Sequence, residues 1–218
     1  MLRYPCLVLD HDDTVVRSEE TLNYPAFLAA LDRFRPGETI TKQEYTRGCF
    51  SPGFLAFCQE RYRFTQEELD EEYLLWQSFV RDKIAPLYDG IGRLIEHYRS
   101  AGGILCVVSH SAERTIRRDY QHYFGFVPER IYSWDDPPER RKPNPWPLMD
   151  LMEYYGLSPA DILVVDDLKP GCDMAKAAGA ASAFAGWSRK DIPEIAEFMN
   201  KHCDFSFDSP EDLEKFLL

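Results

Sequence analysis

Three carboxylates crowd the exit of an apolar run near the N-terminus. In "CLVLDHDDTVV" (residues 6–16), Asp10, Asp12 and Asp13 follow Leu7, Val8 and Leu9, with Thr14 next. Like charges that close repel, and a partly desolvated carboxylate is unstable unless something positive sits among them. Taken alone, the stretch reads equally well as an acidic surface turn. The same coupling of an apolar run to a reactive side chain recurs further on. "ILCVVSHS" ends in Ser109, His110 and Ser111, "ILVVDDLKPG" ends in Asp166 and Asp167, and "RRKPNP" presents Lys142 stiffly beside two prolines. Singly, these are a turn hydroxyl, a helix N-terminus and a solvated lysine. Jointly, and in this order, they are hard to ascribe to chance, because ligands in open α/β sheets gather outside the carboxyl ends of strands.

The elements that must bring these residues together follow from the hydrophobic pattern. Short apolar, β-rich runs at residues 6–9, 104–108, 130–134, 162–165, 182–185 and 205–207 alternate with helix-like segments. That alternation predicts an α/β fold, a Rossmann-like core with a mainly parallel sheet covered on both faces. In the final "DSPEDLEKFLL", Ser209 is a helix N-cap candidate and Pro210 the first helical residue. One interval breaks the alternation. Between Val16 and Ala85 only helical signals occur, including the capping boxes "TKQE" from Thr41 and "TQEE" from Thr65. After the second, Leu69, Tyr73, Trp76 and Val80 recur at helical spacing. A structureless loop of that length is improbable, so residues 17–84 are expected to form an inserted all-helical subdomain, and residues 1–16 with 85–218 the core. Its Trp and Tyr residues read as packing more readily than as a binding box.

Composition narrows the function classes. At 218 residues and 44% apolar, the chain can bury a substantial core. Its formal net charge of −12, with no Lys/Arg-rich block, argues against nucleic acid or an anionic membrane surface as partner. An anionic small molecule stays open, because a local cation reverses the field inside one cleft. Cys6, Cys49, Cys58, Cys106, Cys172 and Cys203 show no CxxC spacing. They read as free thiols in a reducing cytoplasm, more readily than as disulfides or a zinc site. No long apolar stretch marks a signal or transmembrane segment, so a cytoplasmic location is expected. The sequence does not fix an oligomeric state.

In order, the four strand-end motifs resemble those of the haloacid dehalogenase-like superfamily, whose members are mostly phosphatases. Asp10, Asp12 and Thr14 match the Asp-x-Asp-x-Thr first motif, Ser109 the second, Lys142 in "KPNP" the third, and "VVDDLKPG" the acidic fourth. The helical insertion between the first and second motifs resembles the helical-cap group that includes phosphoglycolate phosphatase-like enzymes and β-phosphoglucomutase. The resemblance implies a Mg²⁺-dependent phosphomonoesterase acting on a small phosphorylated metabolite. Asp10 is then the nucleophile that forms an aspartyl-phosphate, and Asp12 the general acid and base. Lys142 neutralises Asp10 and phosphate, and Ser109 donates to a phosphoryl oxygen. Asp10, Asp12 through its carbonyl, Asp167 and Asp166 are the implied Mg²⁺ ligand candidates. Thr14, His110 and Arg47 are the substrate-binding candidates, Arg47 because helical-cap relatives turn the loop region of "YTRGCFSPGF" toward the substrate. A solvated arginine at a helix end accounts for Arg47 as well.

Several positions depart from the family pattern. Asp13 stands where Gly is frequent, and His11 where an apolar residue is common; His11 could contact the cap or substrate, but a partly exposed histidine without a catalytic role is the expectation there. Gly171 stands where many relatives carry a second acid, and Trp146 where an acid frequently follows the Lys-Pro pair. Two other functions keep the same residues: a sugar-phosphate phosphomutase, which returns the phosphoryl group to substrate, and a catalytically silent module that binds a phosphorylated ligand.

Overall fold

Near-continuous apolar runs become strands because both faces of a parallel sheet are covered. A computed structural model describes residues 2–218 and contains six strands: β1 (Cys6–Leu9), β2 (Ile104–Val108), β3 (Ile131–Tyr132), β4 (Ile162–Asp166), β5 (Ala181–Ala185) and β6 (Phe205–Phe207). They form one parallel sheet in the order β3-β2-β1-β4-β5-β6. The helices are α1 (Tyr24–Phe34), α2 (Lys42–Gly48), α3 (Phe54–Tyr62), α4 (Gln66–Val80), α5 (Ile91–Ser100), α6 (Glu113–Phe124), α7 (Trp146–Tyr155), α8 (Lys169–Ala178), α9 (Pro193–His202) and α10 (Pro210–Leu217). The third strand is shorter than its apolar run, and β4 extends one residue further to include Asp166.

The chain divides into two compact units, one made of residues up to Arg17 with Pro86–Leu218, the other of Ser18–Ala85. In the sheet-bearing unit, β1 is fully buried along its length. Its alternate side chains Cys6 and Val8 join Cys106, Val108, Ile162, Val164, Leu148, Leu151 and Met174 in one apolar layer under α7 and α8. Leu7 and Leu9 point to the opposite face, on whose side α5 packs against β2, α6 and α10. Ser209 caps α10 by accepting from the Asp212 N–H at 3.2 Å. All six cysteines are free. No helix among the described residues is long and apolar enough to cross a membrane.

The helical unit holds its own core, in which Phe27, Leu31, Tyr45, Phe57, Cys58, Tyr62, Phe64 and Leu69 pack together. Both capping boxes form: Thr41 and Glu44 at the start of α2, and Thr65 and Glu68 at the start of α4. On α4, Leu69 and Val80 are buried. Tyr73 and Trp76 stack at 5.9 Å, and the Trp76 indole N–H donates to Asn23 at 2.9 Å. These rings therefore pack within the unit.

The arrangement of the sheet dictates where chemistry is possible. The chain leaves β1 to one side for β2 and β3 and later returns on the other side to β4, so β1 borders the topological switch point. Register pairs Leu9 with Val107 on one side and Val165 on the other. Asp10 thus emerges between the ends of β2 and β4.

Candidate active site

Side chains from the ends of three adjacent strands meet at the carboxyl edge of the sheet. Asp10 follows β1, with its N–H bonded to the Val165 carbonyl at 2.9 Å. Ser109 follows β2, Asp166 ends β4, and Asp167 comes next. Lys142 reaches in from the loop between β3 and α7, where its Nζ lies 2.7 Å from Asp10 Oδ1 and 2.6 Å from Asp166 Oδ2. The lysine is 6% exposed and Asp10 4%, so the pairs are screened little by solvent.

Charge at this edge is unevenly balanced. Burial by itself raises the Asp10 carboxyl, but the Lys142 ammonium, the Ser109 hydroxyl and the His11 N–H together hold it below its ordinary value. Burial likewise pulls the Lys142 amine down, and the two carboxylates more than reverse this. One ammonium cannot serve every acid in the group. Burial pushes Asp166 up to about 8 in spite of Lys142, and Asp167 up to about 7 in spite of Arg189. Asp10, Asp166 and Asp167 each offer a ligand oxygen, and the three lie within 4.8 Å of one another. Hard, close-set carboxylate oxygens lacking full positive compensation fit a divalent cation such as Mg²⁺.

Supporting contacts explain the unusual residues. The Asp10–Thr14 turn is closed by Val15 and Val16 N–H bonds to the His11 carbonyl, at 2.9 and 3.1 Å. Asp13 sits at φ 58°, a left-handed conformation that glycine adopts freely and aspartate tolerates. The substitution gains an anchor, since the Tyr88 hydroxyl donates to Asp13 Oδ1 at 3.1 Å. Gly171 admits no side chain: a Cβ there would lie 2.1 Å from Asp166 Oδ2. The Asp166 carboxylate occupies the space, turned by the Leu168 N–H, which donates to Oδ1 at 2.8 Å. Trp146 packs edge-on against Tyr132 at 5.8 Å and under the Arg140 guanidinium, and Lys142 takes its buried partners from β1 and β4 instead.

Some expected positions have other work. The His11 ring is fully buried, not partly exposed, because the turn directs it beneath the site, where its Nε2 lies 3.2 Å from Asp119 on α6. The Thr14 hydroxyl donates to Asp167 Oδ1 across 3.4 Å, and the Thr14 carbonyl accepts from the Trp187 indole N–H. His110 donates from Nε2 to the Lys142 carbonyl at 2.8 Å, which fixes the tautomer because a carbonyl only accepts. Thr14 thus contacts the Asp167 carboxylate, and His110, exposed at the end of β2, holds the Lys142 carbonyl through one ring nitrogen. Asp12 is half-buried in the turn. Arg47 lies exposed in the last turn of α2, in the helical unit. Sequence reasoning missed Arg189, which pairs with Asp167 from the loop after β5, and Tyr88. Extending the strand-end comparison to β5 would have reached Arg189.

Comparison with known proteins identifies the family. A model of the haloacid dehalogenase-like hydrolases matches residues 4–179, and the chain belongs to that family of hydrolytic enzymes. It is 28% identical over 161 residues to a phosphoglycolate phosphatase of Aquifex aeolicus, covering 73% of this chain and 70% of the relative. To the pyrophosphatase PpaX of Halalkalibacterium halodurans it is 23% identical over 194 residues, 88% of each chain. Its fold matches a crystal structure from Haemophilus somnus described as a predicted phosphoglycolate phosphatase, with a TM-score of 0.78, 22% identity and coverage of 99% and 98%.

The raised carboxyls make metal-free stability depend on pH. The folded protein keeps protons on Asp166 and Asp167 that the unfolded chain, with carboxyls near 4, has released. Stability must then fall as pH rises from about 4 to about 8. Burial pushes Glu72 of the helical unit up to about 7, which adds a slope of the same sign, so the comparison is between variants. Urea unfolding in chelator should show Asp167→Asn losing less stability than the wild type between about pH 5 and about pH 8. Equal slopes would mean that Asp167 is already ionised at the lower pH.

Proposed function

We propose that this chain is a Mg²⁺-dependent phosphomonoesterase that hydrolyses a small phosphorylated metabolite through an aspartyl-phosphate on Asp10. The observation that carries this reading is the Asp10 carboxylate, kept ionised by Lys142 amid buried acids at the switch point of the sheet. An ionised, positioned carboxylate is a competent nucleophile toward phosphorus. Asp10 attacks in line, and the bond between phosphorus and the leaving oxygen breaks as the Asp10–phosphorus bond forms. Asp12 gives its proton to the departing alkoxide, then takes one from the water that attacks phosphorus and releases phosphate from Asp10. Lys142 offsets the charge on Asp10 and on the phosphoryl oxygens. The Ser109 hydroxyl, which bonds Asp10, is placed to donate to one of those oxygens. Asp10, Asp167, Asp166 and the Asp12 carbonyl are the metal-ligand candidates, and the bound cation supplies neutralisation of phosphoryl charge.

Relatives named as a phosphatase and a pyrophosphatase support hydrolysis as the outcome, rather than return of the phosphoryl group to a sugar. Free thiols throughout support a reducing, cytoplasmic setting. The helical unit acts as the cap that selects substrate, with Arg47 as its anion-reading residue, whose planar fork suits a carboxylate or phosphate.

Asp10→Asn, nearly isosteric, should abolish Mg²⁺-dependent phosphate release while circular dichroism stays native; substantial remaining activity ends the nucleophile assignment. Asp12→Asn should lose far more activity on an alkyl phosphate than on p-nitrophenyl phosphate, whose leaving group needs little protonation. Equal losses would assign Asp12 to position or metal binding.

Specificity is checked separately. Arg47→Ala should lower kcat/KM for the best metabolite of a phosphate-ester panel by at least about tenfold and leave p-nitrophenyl phosphate within about threefold. No loss on either substrate returns Arg47 to the solvated surface.

A further inference from the structure

A second buried cation stands at the metal edge of the site, where none of the four strand-end motifs supplies it. Arg189 lies in the loop that follows β5 and is 4% exposed. Its Nε donates to Asp167 Oδ2 at 2.6 Å, and Nη2 bonds the same oxygen. The same Nη2 is 3.8 Å from Asp13 Oδ2, and the Tyr88 hydroxyl holds the other oxygen of Asp13. Asp167 Oδ1 receives only the long Thr14 contact of 3.4 Å. One oxygen of Asp167 is thus committed to a guanidinium, while the same carboxylate offers an oxygen within 4.8 Å of oxygens of Asp10 and Asp166.

A guanidinium never gives up its proton in a protein, so this charge is permanent. Buried beside the acids and screened little, it supplies part of the positive charge that a divalent ion would otherwise bring. Its charge would also oppose that of a divalent ion held by the same carboxylate. We infer that Arg189 is a positioning residue that weakens the affinity of the site for Mg²⁺: it pins Asp167 as a one-oxygen ligand and acts as a built-in counter-cation against which the metal must bind. The inference rests on the reading of Asp167 as a metal ligand. Its consequence is a site that is electrostatically tolerable without metal and exchanges the ion readily.

Isothermal titration calorimetry with Mg²⁺ alone, on the full chain, separates the two ideas. Asp167→Asn should abolish or greatly weaken binding; wild-type affinity in that variant removes the ligand reading and this inference with it. With that reading standing, Arg189→Gln should bind Mg²⁺ at least about tenfold more tightly than the wild type, while its metal-free melting temperature falls. Arg189→Lys, which keeps the charge, should stay within about threefold of the wild type. Unchanged or weaker binding in Arg189→Gln, or tighter binding in Arg189→Lys equal to that in Arg189→Gln, overturns the role of Arg189 alone. Should Arg189→Gln fail to fold, the wild type still decides. The Arg189 Nε–H resonance, identified by its loss in Arg189→Lys, should shift as Mg²⁺ is added, and a resonance that stays fixed through saturation contradicts the inference.

Discussion

The bridge from Lys142 to Asp10 and Asp166 is the interaction on which the site depends. An ammonium and two carboxyls removed from water are costly to hold charged unless each is paired at hydrogen-bond distance, and burial drives an under-compensated acid toward its protonated form. Here one ammonium meets both carboxylates at 2.6 to 2.7 Å. Removing the lysine would leave uncompensated buried charge on two adjacent strands. The bridge also joins three parts of the chain far apart in sequence: the end of β1, the end of β4 and the loop after β3.

Much of the surrounding structure serves that bridge. The paired register of β1 with β4 brings Asp10 beside Asp166. The space left by Gly171 lets the Asp166 carboxylate turn toward the lysine. His110 grips the Lys142 carbonyl from the end of β2. What the bridge cannot compensate shows in Asp166 and Asp167, which burial pushes above the usual carboxylate range, and a divalent cation at this edge would favour their ionised forms.

The parts of this site that the sequence reveals are those set by local rules. Apolar runs ending in Asp10, Ser109 and Asp166 specify strands and their exits, and Thr41–Glu44 and Thr65–Glu68 specify helix starts, because each depends on neighbours within a few residues. Arg189 comes into reach only if the strand-end comparison is carried on to β5, and neither its pairing with Asp167 nor that of Tyr88 with Asp13 is encoded by any spacing. His11 shows the same limit. Its polarity argues for exposure, but the tight turn after β1 aims the ring inward, where Asp119 of α6 receives it. Asp13 reads as a departure until the backbone is known; then its positive φ explains why the position tolerates Gly or Asp.

The central claim is that the Lys142-paired carboxylate of Asp10 takes the phosphoryl group. It is tested most directly by acid-quenching the enzyme in steady-state turnover and mapping the acyl-phosphate by borohydride reduction and peptide mass spectrometry. The reduced, homoserine-bearing peptide should be the one containing Asp10, and it should be absent when chelator removes the metal. Label on Asp166 or Asp167, or turnover with no acyl-phosphate at all, would contradict it.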